Sequence, residues 1–341
     1  MTSRPRRSFP TILLRAVWGA PLVVCCLFSL GSTHAAAAVI NGFAAMGASE
    51  TQGTTYSGSW VPWLAVDRKL NFGASQTNNK AVGGATTTTL LSGGQHTKVA
   101  TLVESGNVDL AYLFIGGNDV GPVVLDMLLE TLDVPTWADG LVGRMMTAAD
   151  TVLAKNPTGM IIAGIPDMSL VPAGVPYQAI GAPVVAALDY TNSLIKAEVL
   201  ARNQVYIDTA SFLRDLNASP FVVGGVTINM TTGSSKATHF FVDDIHPGTV
   251  GNGIFANLMI TALNEGYGTS VALFDDQTIL AKAGLSASYT GPTTHVDYAK
   301  YIYFNPVPEP AGVTLAAIGL VSLSLSLVVV RRRRLRSSCR E

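Results

Sequence analysis

The stretch VDLAYLFIGGND, residues 108–119, decides the fold. Leu110 to Ile115 form an unbroken apolar run, and Gly116-Gly117 close it before Asn118-Asp119. A run this short, stopped by glycines, reads as a strand buried on both faces. GMIIAGIPD at 159–167, ended by Pro166, reads the same way, and so does NQVYIDTA at 203–210. Between these runs lie helix-like stretches at 120–134, 138–155 and 183–202. The last carries Val184, Leu188, Ile195 and Val199 near one face. NGIFANLMITALNEG at 252–266 suits a final helix. Strands alternating with helices imply an α/β fold: a three-layer αβα sandwich around a mostly parallel sheet. Such sheets build their sites in the loops after the strands, at the carboxyl ends. Residues 270–305 fit either an extra hairpin or a loosely packed strand before the tail.

The ends of the chain have a different character. Of 341 residues 48% are hydrophobic and 13% charged. The mean hydropathy of +0.35 is high for a plain soluble enzyme. Arg4, Arg6, Arg7 and Arg15, the apolar run AVWGAPLVVCCLFSLG and the alanines after His34 give the order of a secretory signal peptide over 1–37. RRSF at 6–9 only faintly matches a twin-arginine signal, and Pro10 speaks against it. The alternative is an uncleaved anchor helix, against which the alanine run argues. Residues 311–330 carry no charge and are long enough to span a bilayer, and Arg331 to Arg334 follow at once. Basic flanks stay cytoplasmic, so the bulk of the chain, 38–305, is expected outside the cytoplasm.

Cys25, Cys26 and Cys339 all lie in these terminal segments. The segment between them therefore has no thiol nucleophile, disulfide or cysteine metal site. Residues 36–305 hold 12 basic against 21 acidic side chains, a net charge of about −9. That balance argues against nucleic acid or an anionic lipid surface as partner.

Three loops carry candidate chemistry. Ser49 sits in GASETQG at 47–53, after the first apolar segment. Asn118 follows the second. Asp243 precedes His246 by three residues in DDIHPG. A serine hydroxyl needs a base, and the base needs a partner that fixes its tautomer. Of five histidines, only His246 combines an aspartate three residues before it with Pro-Gly directly after it. Asn118 offers a neutral side-chain N–H for an oxyanion, and a glycine N–H such as that of Gly84 would complete the hole. Asp119 is expected to brace the turn. The three-residue spacing favours Asp243 over Asp244 as partner of His246. His239 and His295 are read as surface or packing residues, and Trp60 and Trp63 as core.

The chain resembles the SGNH (GDSL-type) hydrolases over about residues 40–265. GASETQG, NNKAVGGAT, GGND and DDIHPG look like four of that family's blocks in their proper order. The resemblance implies Ser49 as nucleophile, His246 as base and Asp243 as its orienter. It places the oxyanion hole at Gly84, Asn118 and the Ser49 N–H, and it requires no metal and no cofactor. It implies hydrolysis of an ester, with acetylated polysaccharide or lipid as candidate substrates. Ala48 departs from the family, which usually has aspartate there, so the rigidity of the serine loop is open. A catalytically weak SGNH-fold binding module of the surface or matrix is the alternative. VPEP, the apolar span and the arginine cluster of 306–341 resemble the PEP-CTERM sorting signal of Gram-negative, exopolysaccharide-producing bacteria. That resemblance implies an exosortase-type processing enzyme as partner, besides signal peptidase, with the product at the cell surface or in the extracellular matrix. A plain membrane anchor behind a proline linker is the other reading of the tail.

Overall fold

In the computed structural model every residue of Leu110–Phe114 is buried in a strand, β2. The structure describes residues 39–218, 220–231, 236–286 and 293–305, so the expected signal peptide and sorting segment lie outside the described residues. Strand β1 (Phe43–Gly47), strand β3 (Gly159–Ala163) and strand β4 (Val205–Ile207) run parallel to β2 in the order β1-β2-β3-β4. Gly47, Phe114 and Ala163 stand level in register, so the carboxyl ends of β1, β2 and β3 open side by side. A short strand, β7 (Ile302–Tyr303), pairs antiparallel with β4 and closes that edge. At the opposite edge an irregular run takes the free groups of β1. Phe43 N–H donates to Asn71 O at 2.8 Å, Lys80 N–H to Ala45 O at 2.7 Å and Val82 N–H to Gly47 O at 3.2 Å.

The pleat divides the side chains between two cores. Phe43, Ala45, Leu110, Tyr112 and Phe114 face one, and Ala44, Met46, Ala111 and Leu113 the other. The first core is closed by α7 (Thr209–Asn217), α8 (Thr249–Tyr267), α9 (Asp276–Lys282) and the buried Trp60 and Trp63. The second is closed by α1 (Thr87–Ser92), α2 (Gln95–Glu104), α5 (Val134–Leu153) and α6 (Ala182–Ala201). This is the α/β sandwich expected. Among the described residues no helix is long and apolar enough to cross a membrane.

Several boundaries differ from expectation. The helix expected over 120–134 is broken into α3 (Gly117–Val120), a tight turn at Gly121–Val123 and α4 (Val124–Leu128). Pro122 has no N–H to continue a helical ladder, which accounts for the break. Helix α5 begins four residues before the expected 138, because the Asp133 side chain caps it at Thr136 N–H and Pro135 sits in its first turn. GGATTTTLLSGG, a merely biased stretch in sequence, holds α1, set by a reciprocal cap between Thr86 and Thr89. A hairpin of β5 (Phe221–Val223) and β6 (Val226–Ile228) stands apart from the main sheet. Residues 270–305 supply α9 and β7; the expected strand is present, but it is paired with β4 and buries Ile302 in the core rather than packing loosely.

Candidate active site

The level ends of β1 and β2 bring Ser49 and Asn118 together. The chain leaves β1 at Gly47, turns through Ala48 and places Ser49 in a tight turn closed by Thr51 N–H and Gln52 N–H on Ala48 O, at 3.2 and 2.9 Å. Gly47 has φ +153, and a Cβ there would lie 2.0 Å from Phe114 O, so only glycine lets the turn approach β2 this closely. Ala48 is buried at 1% exposure against the second core. Gln95, also buried, spans Gly47 on both sides: Oε1 accepts from its N–H at 2.9 Å and Nε2 donates to its carbonyl at 3.1 Å. The doubt raised by Ala48 therefore has a structural answer. Backbone bonds, apolar packing and one buried amide hold the turn without an aspartate at position 48.

His246 arrives from the tight turn that precedes α8. Val242 N–H donates to His246 O at 2.9 Å. The Asp243 carboxylate gathers this turn: Oδ1 accepts from Ile245 N–H at 2.9 Å and from His246 N–H at 2.7 Å. Its Oδ2 lies 2.8 Å from His246 Nδ1, and His246 Nε2 lies 2.7 Å from Ser49 Oγ. An ionised carboxylate only accepts, so Nδ1 carries the ring proton, and Nε2 then accepts from the serine hydroxyl. Burial raises the Asp243 carboxyl, but the two amide bonds and the imidazole outweigh it and hold the group below the ordinary carboxylate range. Ser49, His246 and Asp243, spread over 197 positions of sequence, form one hydrogen-bonded chain. Asp244, the neighbour, plays no part in it; its carbonyl accepts from Ala173 N–H.

Asn118 lines the same cavity as Ser49 and His246. Its Nδ2 donates to Ala85 O at 3.0 Å, which uses one of its two protons and leaves the other. Gly84 is joined to the site through this bond to its neighbour but is not part of the cavity wall. It holds φ +73, a left-handed conformation that favours glycine. The flanking Gly83 and Ala85 N–H groups are taken by Gln52 Oε1 and Val82 O. Asp119 braces as expected: it accepts from Thr87 N–H at 2.8 Å and Thr87 Oγ1 at 2.6 Å, with Arg144 beside it. His239 and His295 lie away from this cavity wall. Among the described residues no group of three or more His, Cys, Asp or Glu side chains is arranged to hold a metal ion.

The cavity has a volume of about 310 Å³. Phe114, Met168, Val171, Leu213, Phe240 and Phe255 are among its walls, so it is largely apolar. Its β3 side is steadied by Asp167, which is 2% exposed, accepts from Ser169 N–H and Oγ, and pairs with Arg214 of α7 at 2.5 Å. Sequence reasoning passed over three residues here: Gln95, Asp167 and Glu50. Glu50 follows the serine, lines the cavity, and is pushed by burial up to about 7, against bonds from the loop amides and the nearby His246 that lower it. The signal for it was visible only as a charged residue directly after Ser49, and its burial depends on distant packing.

A hydrogen-bonded Ser-His-Asp chain at the mouth of an apolar cavity, at the carboxyl ends of a parallel sheet, is an arrangement suited to acyl transfer. The chain belongs to the GDSL-like lipase/acylhydrolase family, whose family model matches residues 45–254. It is a hydrolase acting on ester bonds. No curated protein sequence matches it. Among solved structures it is similar to an acetylxylan esterase, Axe2, of Geobacillus stearothermophilus, at 16% identity over 68% of this chain and 96% of that one, with a TM-score of 0.42. It is similar also to LAE5, an α/β hydrolase from the metagenome of Lake Arreo, at 15% identity over 67% and 95%, with a TM-score of 0.42. Phospholipase A1 of Streptomyces albidoflavus matches at 20% identity over 63% and 95%, with a TM-score of 0.37.

Proposed function

We propose that the chain is an exported serine esterase in which Ser49 is the nucleophile, His246 the general base and Asp243 its orienter. The observation that carries this reading is the bonding of His246, through Nε2 to Ser49 Oγ at 2.7 Å and through Nδ1 to Asp243 at 2.8 Å. The Ser49 hydroxyl gives its proton to Nε2 as Oγ attacks the ester carbonyl. The imidazolium, stabilised by Asp243, returns the proton to the leaving alcohol as the C–O bond breaks. Water then attacks the acyl-enzyme by the same route, releasing the acid and restoring Ser49. In this reading the oxyanion is held by the free Asn118 Nδ2 proton with the Ser49 and Gly84 N–H groups, all neutral donors; Asn118 and Ser49 line the cavity, and Gly84 is tied to Asn118 through Ala85. The reading of the ends goes with it: 1–37 as signal peptide, 306–341 as a PEP-CTERM-type sorting segment spanning at 311–330 and read by an exosortase-type enzyme.

The test is hydrolysis of dissolved nitrophenyl esters by the full chain, with Ser49→Ala and His246→Ala beside it. The native chain turns over and takes a fluorophosphonate label at Ser49; both variants lose at least about a thousandfold. Equal rates in all three would sink the reading. A pure binding module would neither turn over nor label; the Gln95 bonds to Gly47, which hold the serine turn without an aspartate at position 48, support the esterase reading.

A further inference from the structure

Large apolar side chains are exposed in an uneven pattern. Leu125, in the first turn of α4, and Leu129, directly after it, are 62% and 63% exposed. Tyr177 and Ile180, in the turn before α6, are 54% and 60% exposed, and Ile245, beside His246, is 46% exposed. These three segments also supply Val124, Leu128, Tyr177 and Ile245 to the wall of the cavity. Each of these exposed apolar side chains is therefore either in the wall of the cavity that holds Ser49 and His246 or next in sequence to a residue that is. A soluble surface that gathers apolar side chains around one mouth marks a place of contact rather than chance exposure.

Charge says what kind of contact. Residues 117–133, 168–181 and 240–248 contain no lysine or arginine. Their ionisable groups are the buried Asp119, the acidic Asp126, Glu130, Asp133, Asp243 and Asp244, and His246, which is bonded to Asp243 and Ser49. An anionic membrane would be repelled by this collar, since surface attraction to such lipids needs cations. An uncharged apolar interface would not. The cavity behind the collar agrees: phenylalanine and aliphatic walls enclosing about 310 Å³ leave an acetyl group with few contacts and suit an acyl chain of several carbons.

We propose that the collar formed by Leu125, Leu129, Tyr177, Ile180 and Ile245 docks on the surface of an aggregated, uncharged acyl ester and passes its acyl chain into the cavity. The proposal rests on the esterase reading above and names the physical state and the acyl class of its substrate.

The experiment uses the full chain and tributyrin, a neutral triester, on both sides of its solubility limit. The native rate climbs on the order of tenfold once an emulsion forms, because each apolar side chain withdrawn from water adds to binding. A Leu125→Ser/Leu129→Ser/Ile180→Ser variant, all three outside the cavity wall, loses that climb while hydrolysing dissolved nitrophenyl butyrate at the native rate. The dissolved ester also reports that the variant is folded. A native rate that crosses the solubility limit without a climb overturns the proposal. So does an equal climb in the variant, because both proteins carry the same terminal segments. Flotation with the emulsion, measured on the Ser49→Ala chain, reads docking without turnover, so failure of the esterase reading and failure of the docking are distinct results. Stronger flotation with phosphatidylserine vesicles than with the emulsion would overturn the proposal. A native dimer in light scattering that the triple variant abolishes would overturn it too, by assigning the collar to a second copy of this chain.

Discussion

Gln95 grips Gly47 from 48 residues away, accepting from its N–H and donating to its carbonyl. Both groups belong to the last residue of β1, so the start of the serine turn is fixed by a side chain from α2. Gln95→Leu leaves the Gly47 N–H buried without a partner and the Gly47 carbonyl with Val82 N–H alone, at a cost of about 1–3 kcal/mol. It also frees the turn. The expected result is a lower denaturation midpoint and a lower kcat on dissolved ester, with KM little changed. A variant that loses stability at unchanged kcat would show that the grip serves folding only.

Asp243 fixes the His246 tautomer and, through its own bonds, the turn that carries it. Asp243→Asn keeps the shape but can present an N–H to Nδ1, which favours the wrong tautomer. The expected loss in kcat is on the order of a thousandfold or more, and it is partly recovered as pH rises. Because the native carboxyl is held below the ordinary carboxylate range, protonation of Asp243 does not set the acid side of the native activity. A pH–rate profile of kcat/KM with one acid limb checks this.

Glu50 makes the native state sensitive to pH. Its carboxyl titrates near 7 in the folded chain against an ordinary 4.5, so between these values the folded state holds a proton that the unfolded state has lost. Stability therefore falls as pH rises through that window, and the penalty is complete above it. Glu50→Gln removes the slope: its melting temperature exceeds the native one on the alkaline side and converges with it below the window. Glu50 also lines the cavity beside Ser49 and near His246, so Glu50→Gln is expected to change the pH dependence of kcat/KM as well. Parallel melting and rate profiles would show both effects or neither.

Arg214 spans Asp167 and Asp189 from α7, and Asp167 is almost fully buried. Arg214→Met leaves that carboxylate with Ser169 alone. The expected cost is about 2–4 kcal/mol, read by denaturant unfolding, because a buried charge that loses its partner is worse than none. Asp167→Asn with Arg214→Met recovers part of the loss, and a double-mutant cycle isolates the pair.

Much of this was legible in the sequence, for a physical reason. Strands β2, β3 and β4 are buried on both faces, so their apolar runs stand out, and α6 and α8 show helical spacing or length. Ser49, Asn118, Asp243 and His246 could be found because the loops that carry them follow apolar elements. What was hidden depends on contacts distant in sequence. Helices α1 and α2 are polar enough to pass for a loop, and Thr86 shows its capping role only once the helix is formed. Gln95 and Asp167 carry no local mark of burial. The break at Pro122 was readable from its missing N–H, yet the apolar residues around it suggested one continuous helix. Gly84 was read as a backbone donor to the oxyanion, and its left-handed conformation and its tie to Asn118 through Ala85 follow from folding.

The run from Asn71 to Val82 lies along β1 and takes its outward-facing peptide groups, and β7 does the same for β4. Among the described residues the main sheet ends in an irregular run at one margin and a strand of only two residues at the other, so neither margin offers a long, regular ladder for strand addition from another molecule. The blocking run ends one residue before Gly83 and Gly84. Loosening that margin, by proline at Lys80 for example, would therefore expose a sticky edge and displace the rim of the site in a single event.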